Sequence, residues 1–229
     1  MIKAYYELTK PGIIYGNALV AAAGFFFAAK GHIDWLVFLA MLIGLSLVVG
    51  SACVLNNIYD REIDARMART KDRATVTGKV SRESAAAYAL VLGLAGGIVF
   101  GLYVPALSLA AALAGFAVYV LLYTPLKPVS PWALFVGAVA GATPPMAGYL
   151  AVTGSLDWYA WALFTAMYLW QIPHFLAIAT YRYPEYTAAG VPLFIAHDPS
   201  PRAKKWGRGI FYASLVVLLV ACVVLMLQR

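Results

Sequence analysis

The chain has 229 residues, of which 63% are hydrophobic and only 12% are charged, and its mean hydropathy is +0.79. This composition excludes an ordinary water-soluble domain and predicts an integral membrane protein. The formal net charge is +7, which in a soluble protein would suggest nucleic acid as a partner. The positions of the basic residues explain that charge without nucleic acid, as shown below.

Apolar stretches of membrane-spanning length follow one another along the chain. Seven are predicted to be helices, at residues 11–29, 35–59, 84–104, 105–123, 132–152, 158–180 and 209–227. The third is separated from the fourth at Val104-Pro105, because proline and the residue before it disfavour a continuing helix. The predicted fold class is therefore an all-α, polytopic transmembrane helical bundle in a single domain, with a cavity open to the cytoplasmic loops.

The basic residues are distributed very unevenly between the two sides of this bundle. If alternate loops lie on alternate sides, 15 of the 17 Lys and Arg residues fall on one side, and only Lys30 and Arg229 fall on the other. The positive-inside rule then places the N-terminus and both long loops in the cytoplasm. A bacterial inner membrane is the simplest location, and no nucleic-acid partner is needed.

Three polar residues lie at four-residue spacing where the second stretch ends: Asn56, Asp60 and Asp64. A four-residue step returns to within about 40° of the same helix face, so the three side chains can point the same way. Carboxylates near the bilayer usually line a functional cavity, and their oxygens suit Mg²⁺ shared with substrate phosphates. The alternative is a simple membrane boundary, at which the acids pair with Arg61 and Arg66 in water.

The first long loop continues with basic residues, among them Arg69, Lys71 and Arg73. Acids that bind a metal, followed by bases that bind phosphate, are what a diphosphate requires. Basic residues alone would indicate only a solvated loop on the positive side of the membrane. The acids just upstream are what make the phosphate-binding interpretation specific.

The second long loop follows a helix that contains polar residues. Gln171, His174 and Arg182 lie in or just after an apolar stretch, and Pro173 is expected to kink the helix there. A histidine in a membrane helix is explained equally well by a hydrogen bond to a neighbouring helix and by an acid/base or ligand role. Glu185 provides a second acidic position.

The fifth stretch combines small residues with prolines. Gly137 and Gly141 have GxxxG spacing, which predicts close helix packing, and Pro144 and Pro145 predict a break in the helix. The same GxxxG spacing recurs at residues 97 and 101, where close packing is also expected.

Four segments of the chain resemble the UbiA superfamily of intramembrane prenyltransferases. Asn56, Asp60 and Asp64 match the first acidic motif of that superfamily. The superfamily has an aspartate directly after the first asparagine, and this chain has Asn57 at that position. The paired asparagines and the WQIPH sequence resemble the branch that prenylates haem. The four segments are YYELTKPGIIYGN at 5–17, CVLNNIYDREIDARMARTKDR at 53–73, GATPPMAGYLAVTG at 141–154 and WQIPHFLAIATYRYPEYTAAGVPLF at 170–194.

The resemblance implies transfer of a farnesyl group from farnesyl diphosphate to a vinyl group of haem B, with Mg²⁺ as cofactor and diphosphate as leaving group. It also implies a location in the lipid bilayer and, as further partners, the terminal-oxidase assembly or haem A synthase. Because the superfamily usually has nine spanning helices, the last two are expected to be missing here. The alternatives are a prenyltransferase for an aromatic acid or quinone precursor, and a membrane binding protein or transporter without chemistry.

The resemblance assigns roles to individual residues as well. Asp60 and Asp64 would hold the metal and Asn56 would orient that shell. The role of His174 is predicted from its position instead: along a straight helix it would lie roughly 16 Å deeper than Glu185, so it is expected to act on the acceptor and not on the diphosphate. Four basic residues would bind the diphosphate, and two residues would form the second acidic loop. These are Arg69, Lys71, Arg73 and Lys10 for the diphosphate, and Arg182 and Glu185 for the second loop.

Overall fold

The computed structural model describes residues 1–227, and within that range the chain is helical and contains no strand. Seven helices are long and apolar enough to cross a membrane, which confirms the predicted all-α transmembrane helical bundle. They are α1 (Pro11–Ala29), α2 (Trp35–Tyr59), α3 (Arg82–Tyr103), α4 (Ala106–Leu126), α5 (Ala133–Thr153), α6 (Trp158–Tyr181) and α7 (Pro201–Leu227). Arg229, predicted to lie on the side with few basic residues, is outside the described residues.

The helix limits agree closely with the sequence, with one clear exception. The bounds of α1 and α2 are the predicted ones, and the chain breaks at Val104 and Pro105 as expected. The last helix begins at Pro201 rather than at residue 209, because its first turns carry charged residues that an apolar window excludes. Short helices also occur at Ile2–Leu8, Arg61–Arg66 and Tyr183–Ala188.

Side-chain caps fix where several spanning helices begin. The Asp34 carboxylate accepts hydrogen bonds from the backbone N–H groups of Leu36 and Val37, at 3.0 and 3.1 Å, before α2. Ser81 and Asp157 cap α3 and α6 in the same way. Such caps satisfy N–H groups that have no partner within the helix.

Helix α5 is the centre of the bundle, packed by α1, α4 and α6. The prediction that Pro144 and Pro145 break this helix is wrong, since α5 runs unbroken from Ala133 to Thr153. The hydroxyl of Thr143 donates to the carbonyl of Ala140 at 2.9 Å. This carbonyl lacks its usual helical donor, because Pro144 has no backbone N–H. A side chain therefore replaces the missing backbone bond, as membrane helices allow.

Glycines let α1 and α5 approach each other at backbone distance. A Cβ atom on Gly148 would lie 1.9 Å from the carbonyl oxygen of Ala21, and one on Gly24 would lie 2.1 Å from that of Pro145. Gly141 likewise makes room for Gln171 of α6. The side-chain amide of Gln171 also donates to the carbonyl of Ala138 in α5, at 3.2 Å, which ties α6 to α5.

Candidate active site

The three polar residues of the first motif are buried together at the end of α2. Helix α2 ends at Tyr59, yet the four-residue register continues through the break. The N–H of Asp60 donates to the carbonyl of Asn56 at 2.8 Å, and the N–H of Asp64 donates to the carbonyl of Asp60 at 2.7 Å. Each of the three residues is only 2% exposed. Burial of two carboxylates requires partners of opposite charge.

Each carboxylate has a basic partner, which for Asp60 is 67 residues away in the sequence and for Asp64 is nine residues away. Lys127, just after α4, lies 2.6 Å from Asp60, and Arg73 of the first loop lies 2.5 Å from Asp64. The ammonium of Lys10 donates to the side-chain carbonyl of Asn56. The partners are therefore not the neighbouring arginines of a simple membrane boundary, and Lys127 is a site residue that the sequence did not reveal.

Lys10 reaches Asn56 from a backbone conformation that is unusual for lysine. Its φ of 53° and ψ of 68° lie in the left-handed region, immediately before Pro11. Such a conformation is costly for a residue with a side chain and occurs most often at functional sites. Withdrawal from water lowers the pKa of the Lys10 ammonium to about 8, and the nearby positive charges of Arg73 and Lys127 act in the same direction.

Lys127 behaves in the opposite way. Burial by itself would lower the pKa of its ammonium, but the phenol of Tyr123 and the carboxylate of Asp60 outweigh burial, and the pKa is raised. Lys127 is therefore protonated at neutral pH. A permanent positive charge is thus held against Asp60 at the edge of the bundle.

The second acidic position is joined to the first loop by an arginine. Arg182 binds both carboxylate oxygens of Glu185, at 3.0 and 3.2 Å, and the Nε of Arg69 lies 3.9 Å from the same carboxylate. Arg69 therefore sits with Glu185 rather than with the first acids. Lys71 is exposed and makes no ion pair or side-chain hydrogen bond within residues 1–227. The two long loops meet at this end of the bundle.

His174 faces α7. Its Nδ1 lies 2.7 Å from the hydroxyl of Ser214, and its ring stacks on Trp170 with centroids 4.8 Å apart. The predicted depth of His174 below Glu185 assumed one straight helix, and that assumption is wrong because α6 ends at Tyr181. These contacts favour the alternative of a hydrogen bond between helices. The role of His174 toward the acceptor stays a prediction.

A cavity of about 460 Å³ lies inside the bundle, within the size range of small-molecule sites. Lys127, the partner of Asp60, forms part of its wall, so the polar cluster and the cavity are continuous. Residues 191–195 of the second loop line the cavity, so it reaches the end of the bundle where the basic loops meet. Most of the wall is apolar, with aromatic side chains at Phe116, Tyr119, Tyr123, Trp170 and Phe175.

The donor atoms at the site fit a magnesium ion that is shared with a substrate. Within residues 1–227, no group of three or more His, Cys, Asp or Glu side chains could hold a metal ion. Asp60 and Asp64 provide hard carboxylate oxygens, and each is already paired with a cation. Mg²⁺ is commonly bound by one or two carboxylates and completed by phosphate oxygens and water. The site therefore fits that kind of shared ion rather than a metal enclosed by protein.

Comparison with known proteins identifies relatives of similar sequence. The chain is 45% identical over 206 residues to a protoheme IX farnesyltransferase of Marinomonas sp. (strain MWYL1), covering 90% of this chain and 70% of that protein. It is 51% identical over 195 residues to a protoheme IX farnesyltransferase of Pseudomonas savastanoi pv. phaseolicola, covering 84% and 65%. The chain thus spans about two thirds of the length of these relatives.

Solved structures show the same fold at low sequence identity. A UbiA homologue from Archaeoglobus fulgidus, solved with GPP and Mg²⁺ bound, superposes with a TM-score of 0.69 at 18% identity, covering 99% of this chain and 78% of that one. The apo structure of a UbiA homologue from Aeropyrum pernix gives a TM-score of 0.66 at 18% identity, covering 92% and 78%. A sequence model of the UbiA prenyltransferase family matches residues 17–229. This integral membrane protein, whose buried motif of Asn56, Asp60 and Asp64 is joined through Lys127 to the wall of an apolar cavity, belongs to the UbiA prenyltransferase family.

Proposed function

We propose that this protein transfers a farnesyl group from farnesyl diphosphate to a vinyl group of haem B, with release of diphosphate. The observation that carries the proposal is the junction of a buried acid and base cluster with an apolar, aromatic cavity. One end suits a diphosphate with its metal and the other suits a prenyl chain. The choice of farnesyl and haem rests on the relatives named protoheme IX farnesyltransferase.

The diphosphate is proposed to bind where Lys10, Arg73 and Lys127 surround the acids. Mg²⁺, when bound at Asp60 and Asp64, would neutralise charge on the diphosphate oxygens. When the bond between the allylic carbon and oxygen breaks, its electron pair leaves with the diphosphate. The lysines and the arginine hold that growing negative charge, and such charge stabilisation is often the largest contribution to catalysis.

The outer basic residues act at longer range. Arg69 pairs with Glu185 where the two loops meet, and Lys71 is exposed in the first loop, so both would add positive potential at this end of the bundle. A positive field around a cleft raises the rate at which an anionic substrate arrives. Both residues therefore favour capture of the diphosphate more than the chemical step.

The allylic cation is proposed to form inside the cavity, beside Tyr119 and Tyr123. Aromatic faces attract cations, and an apolar wall keeps water from the reactive carbon. The π electrons of the haem vinyl group then form the new carbon–carbon bond. The cation left on the vinyl carbon takes up one water molecule and releases a proton, which gives the hydroxyl group of haem O.

A product assay tests this function. Membranes containing the protein receive farnesyl diphosphate, Mg²⁺ and haem B, and extracted haems are analysed by mass spectrometry. We expect a haem that has gained one farnesyl group and one hydroxyl group, together with an equal amount of diphosphate. Diphosphate release that requires an aromatic acid instead of haem would identify a related prenyltransferase. Binding without any diphosphate release would identify a transporter or binding protein.

We further propose that the protein lies in a bacterial inner membrane with both basic loops in the cytoplasm. The support is the strong bias of Lys and Arg toward one side. Single cysteines at Gly78 and Ala203, introduced after Cys53 and Cys222 are replaced, are expected to react only with reagents on the cytoplasmic side. Labelling of the two positions from opposite sides would contradict one site shared by both loops.

A further inference from the structure

The last part of α4 departs from α-helical geometry at the wall of the cavity. Residues Val118–Tyr123 form a π-helix, in which the N–H of Thr124 donates to the carbonyl of Tyr119, five residues back. The next residue is Pro125, which has no N–H and crowds the carbonyl four residues before it. A wider turn relieves that crowding. π-Helical turns are rare and are often found at functional sites.

Thr124 connects this turn to the first acidic motif. Its hydroxyl donates to the carbonyl of Tyr119 at 2.8 Å and accepts a hydrogen bond from the side-chain amide of Asn56 at 3.0 Å. Thr124 is 1% exposed, so both bonds lie away from solvent. The carbonyl of Tyr119 thus receives two hydrogen bonds from one residue. Loss of the hydroxyl would leave the Asn56 amide without this acceptor.

The turn presents two tyrosine rings to the cavity. Tyr119 and Tyr123 stack with centroids 5.1 Å apart and planes inclined by 26°, and both line the cavity wall. Tyr123 lies directly against Gly137 of α5, where a Cβ atom would come within 2.9 Å of the ring. Lys127, which holds Asp60, follows one turn later. The position of the ring pair is therefore fixed by the π-turn on one side and by a glycine on the other.

We propose that Thr124 is a positioning residue that locks the π-turn to Asn56 and so holds the Tyr119 and Tyr123 rings beside the reacting carbon. This inference rests on the proposed function. The rings exclude water from the allylic carbon until the acceptor attacks. When they shift, water attacks that carbon instead, giving farnesol after loss of a proton, with the electron pair of the broken bond again leaving on diphosphate. Thr124 therefore governs how much farnesyl diphosphate is converted to product rather than hydrolysed.

The test compares three substitutions and a control. Thr124→Val removes the hydroxyl at nearly constant volume, and Thr124→Ser keeps it. Gly137→Ala displaces the Tyr123 ring without touching Thr124. Gly97→Ala is the matched control, since a Cβ atom there would meet nothing within 4 Å. Two quantities are measured: farnesol formed without acceptor, and prenylated haem formed per diphosphate released.

We expect Thr124→Val and Gly137→Ala to lower the yield of prenylated haem per diphosphate about tenfold and to raise farnesol formation, because small misplacements at a reacting centre have large effects. KM for farnesyl diphosphate should change little. Thr124→Ser and Gly97→Ala should match wild type in both quantities.

Two results would overturn the inference. One is wild-type yield and wild-type farnesol formation in Thr124→Val. The other is equal losses in Thr124→Ser and Thr124→Val, which would assign the effect to packing rather than to the hydroxyl. If the proposed acceptor is wrong, wild type itself makes no prenylated haem, whereas the farnesol measurement still judges the role of Thr124. If Thr124→Val does not fold, Thr124→Ser and Gly137→Ala are compared with wild type instead. A lower yield of prenylated haem per diphosphate in Gly137→Ala alone supports the inference. Wild-type yield in both variants overturns the inference.

Discussion

Replacing Lys127 by methionine separates its two suggested tasks, holding Asp60 at rest and binding diphosphate during catalysis. The pair is short, at 2.6 Å, and its members differ in exposure, with 16% of the Lys127 side chain and 3% of the Asp60 side chain accessible. Lys127→Met leaves a carboxylate buried without its partner. Asp60→Asn leaves an ammonium that borders the cavity and can be hydrated there. The lysine substitution should therefore be the more destabilising of the two.

The size of the effect follows from the cost of breaking a buried ion pair. Removing one partner typically destabilises by about 3–5 kcal/mol, so we expect a loss near 3 kcal/mol for Lys127→Met. For Asp60→Asn we expect about 1 kcal/mol, since partial hydration relieves the ammonium. The double variant should be more stable than Lys127→Met, with a coupling of at least about 1 kcal/mol, because no charge is then left unpaired.

The assay is the free energy of unfolding in detergent, with and without Mg²⁺. If Asp60 is a metal ligand, Mg²⁺ can take the place of the missing ammonium. At ten times its dissociation constant the ion should then restore about 1.4 kcal/mol to Lys127→Met, and less to the double variant. An equal response to Mg²⁺ in all four proteins would refute Asp60 as a metal ligand. A double variant no more stable than Lys127→Met would refute the importance of the ion pair.

Three further predictions concern individual residues. If Asp60 and Asp64 hold the metal as proposed, Asp60→Asn or Asp64→Asn should each lower turnover by at least ~10²-fold while membrane insertion is unchanged, because each would remove a charge that faces the metal and diphosphate; near-normal turnover in both would contradict this. His174→Ala and Ser214→Ala should lower the midpoint of thermal unfolding to a similar extent and leave farnesyl diphosphate affinity within about threefold, since the hydrogen bond joins α6 to α7; weaker haem binding at unchanged stability would instead give His174 an acceptor role. Lys10 loses its charge as pH rises through its lowered pKa of about 8. KM for farnesyl diphosphate should therefore increase above that pH in wild type and remain level in Lys10→Arg. Parallel pH profiles of KM in the two proteins would exclude Lys10 from diphosphate binding.

The spanning helices could be predicted well because the bilayer imposes a simple rule on the sequence. A span needs about 20 apolar residues, and this requirement alone located α1 and α2 to the residue. The same rule misplaced the start of α7, whose first turns are polar. Hydropathy predicts the part of a helix that lies in lipid, but it does not predict the helical turns that extend beyond the lipid.

The GxxxG pattern shows a second limit. Gly137 and Gly141 contact Tyr123 and Gln171, so the close packing predicted for them is confirmed, although the partners are side chains rather than a helix backbone. Gly97 meets nothing within 4 Å, and the same prediction is wrong for it. The spacing is identical in both cases. What differs is which helix face meets a neighbour, and local sequence does not specify that.

Half of the site was visible in the sequence and half was not. The four-residue spacing of Asn56, Asp60 and Asp64 is a local pattern, and the register survives even though α2 ends between them. Lys127 lies 67 residues from Asp60, and no spacing rule joins them. The approach of Lys10 depends on a left-handed backbone conformation that proline at the next position would normally disfavour. Long-range pairing and backbone strain are properties of the folded bundle.

Under the proposed function, these pairings would also allow a charged substrate to enter a bundle that is otherwise apolar. An unpaired buried charge is costly, and in the free protein Asp60 and Asp64 are neutralised by Lys127 and Arg73. With a complex of Mg²⁺ and diphosphate, Asp60 and Asp64 would exchange their basic partners for the metal, and Lys127 and Arg73 would bind the phosphate oxygens. Every buried charge then keeps a partner at each stage. Neither the metal alone nor the diphosphate alone would permit that exchange, so we expect the two to enter together and the charge pattern to favour substrates that carry a metal-binding diphosphate.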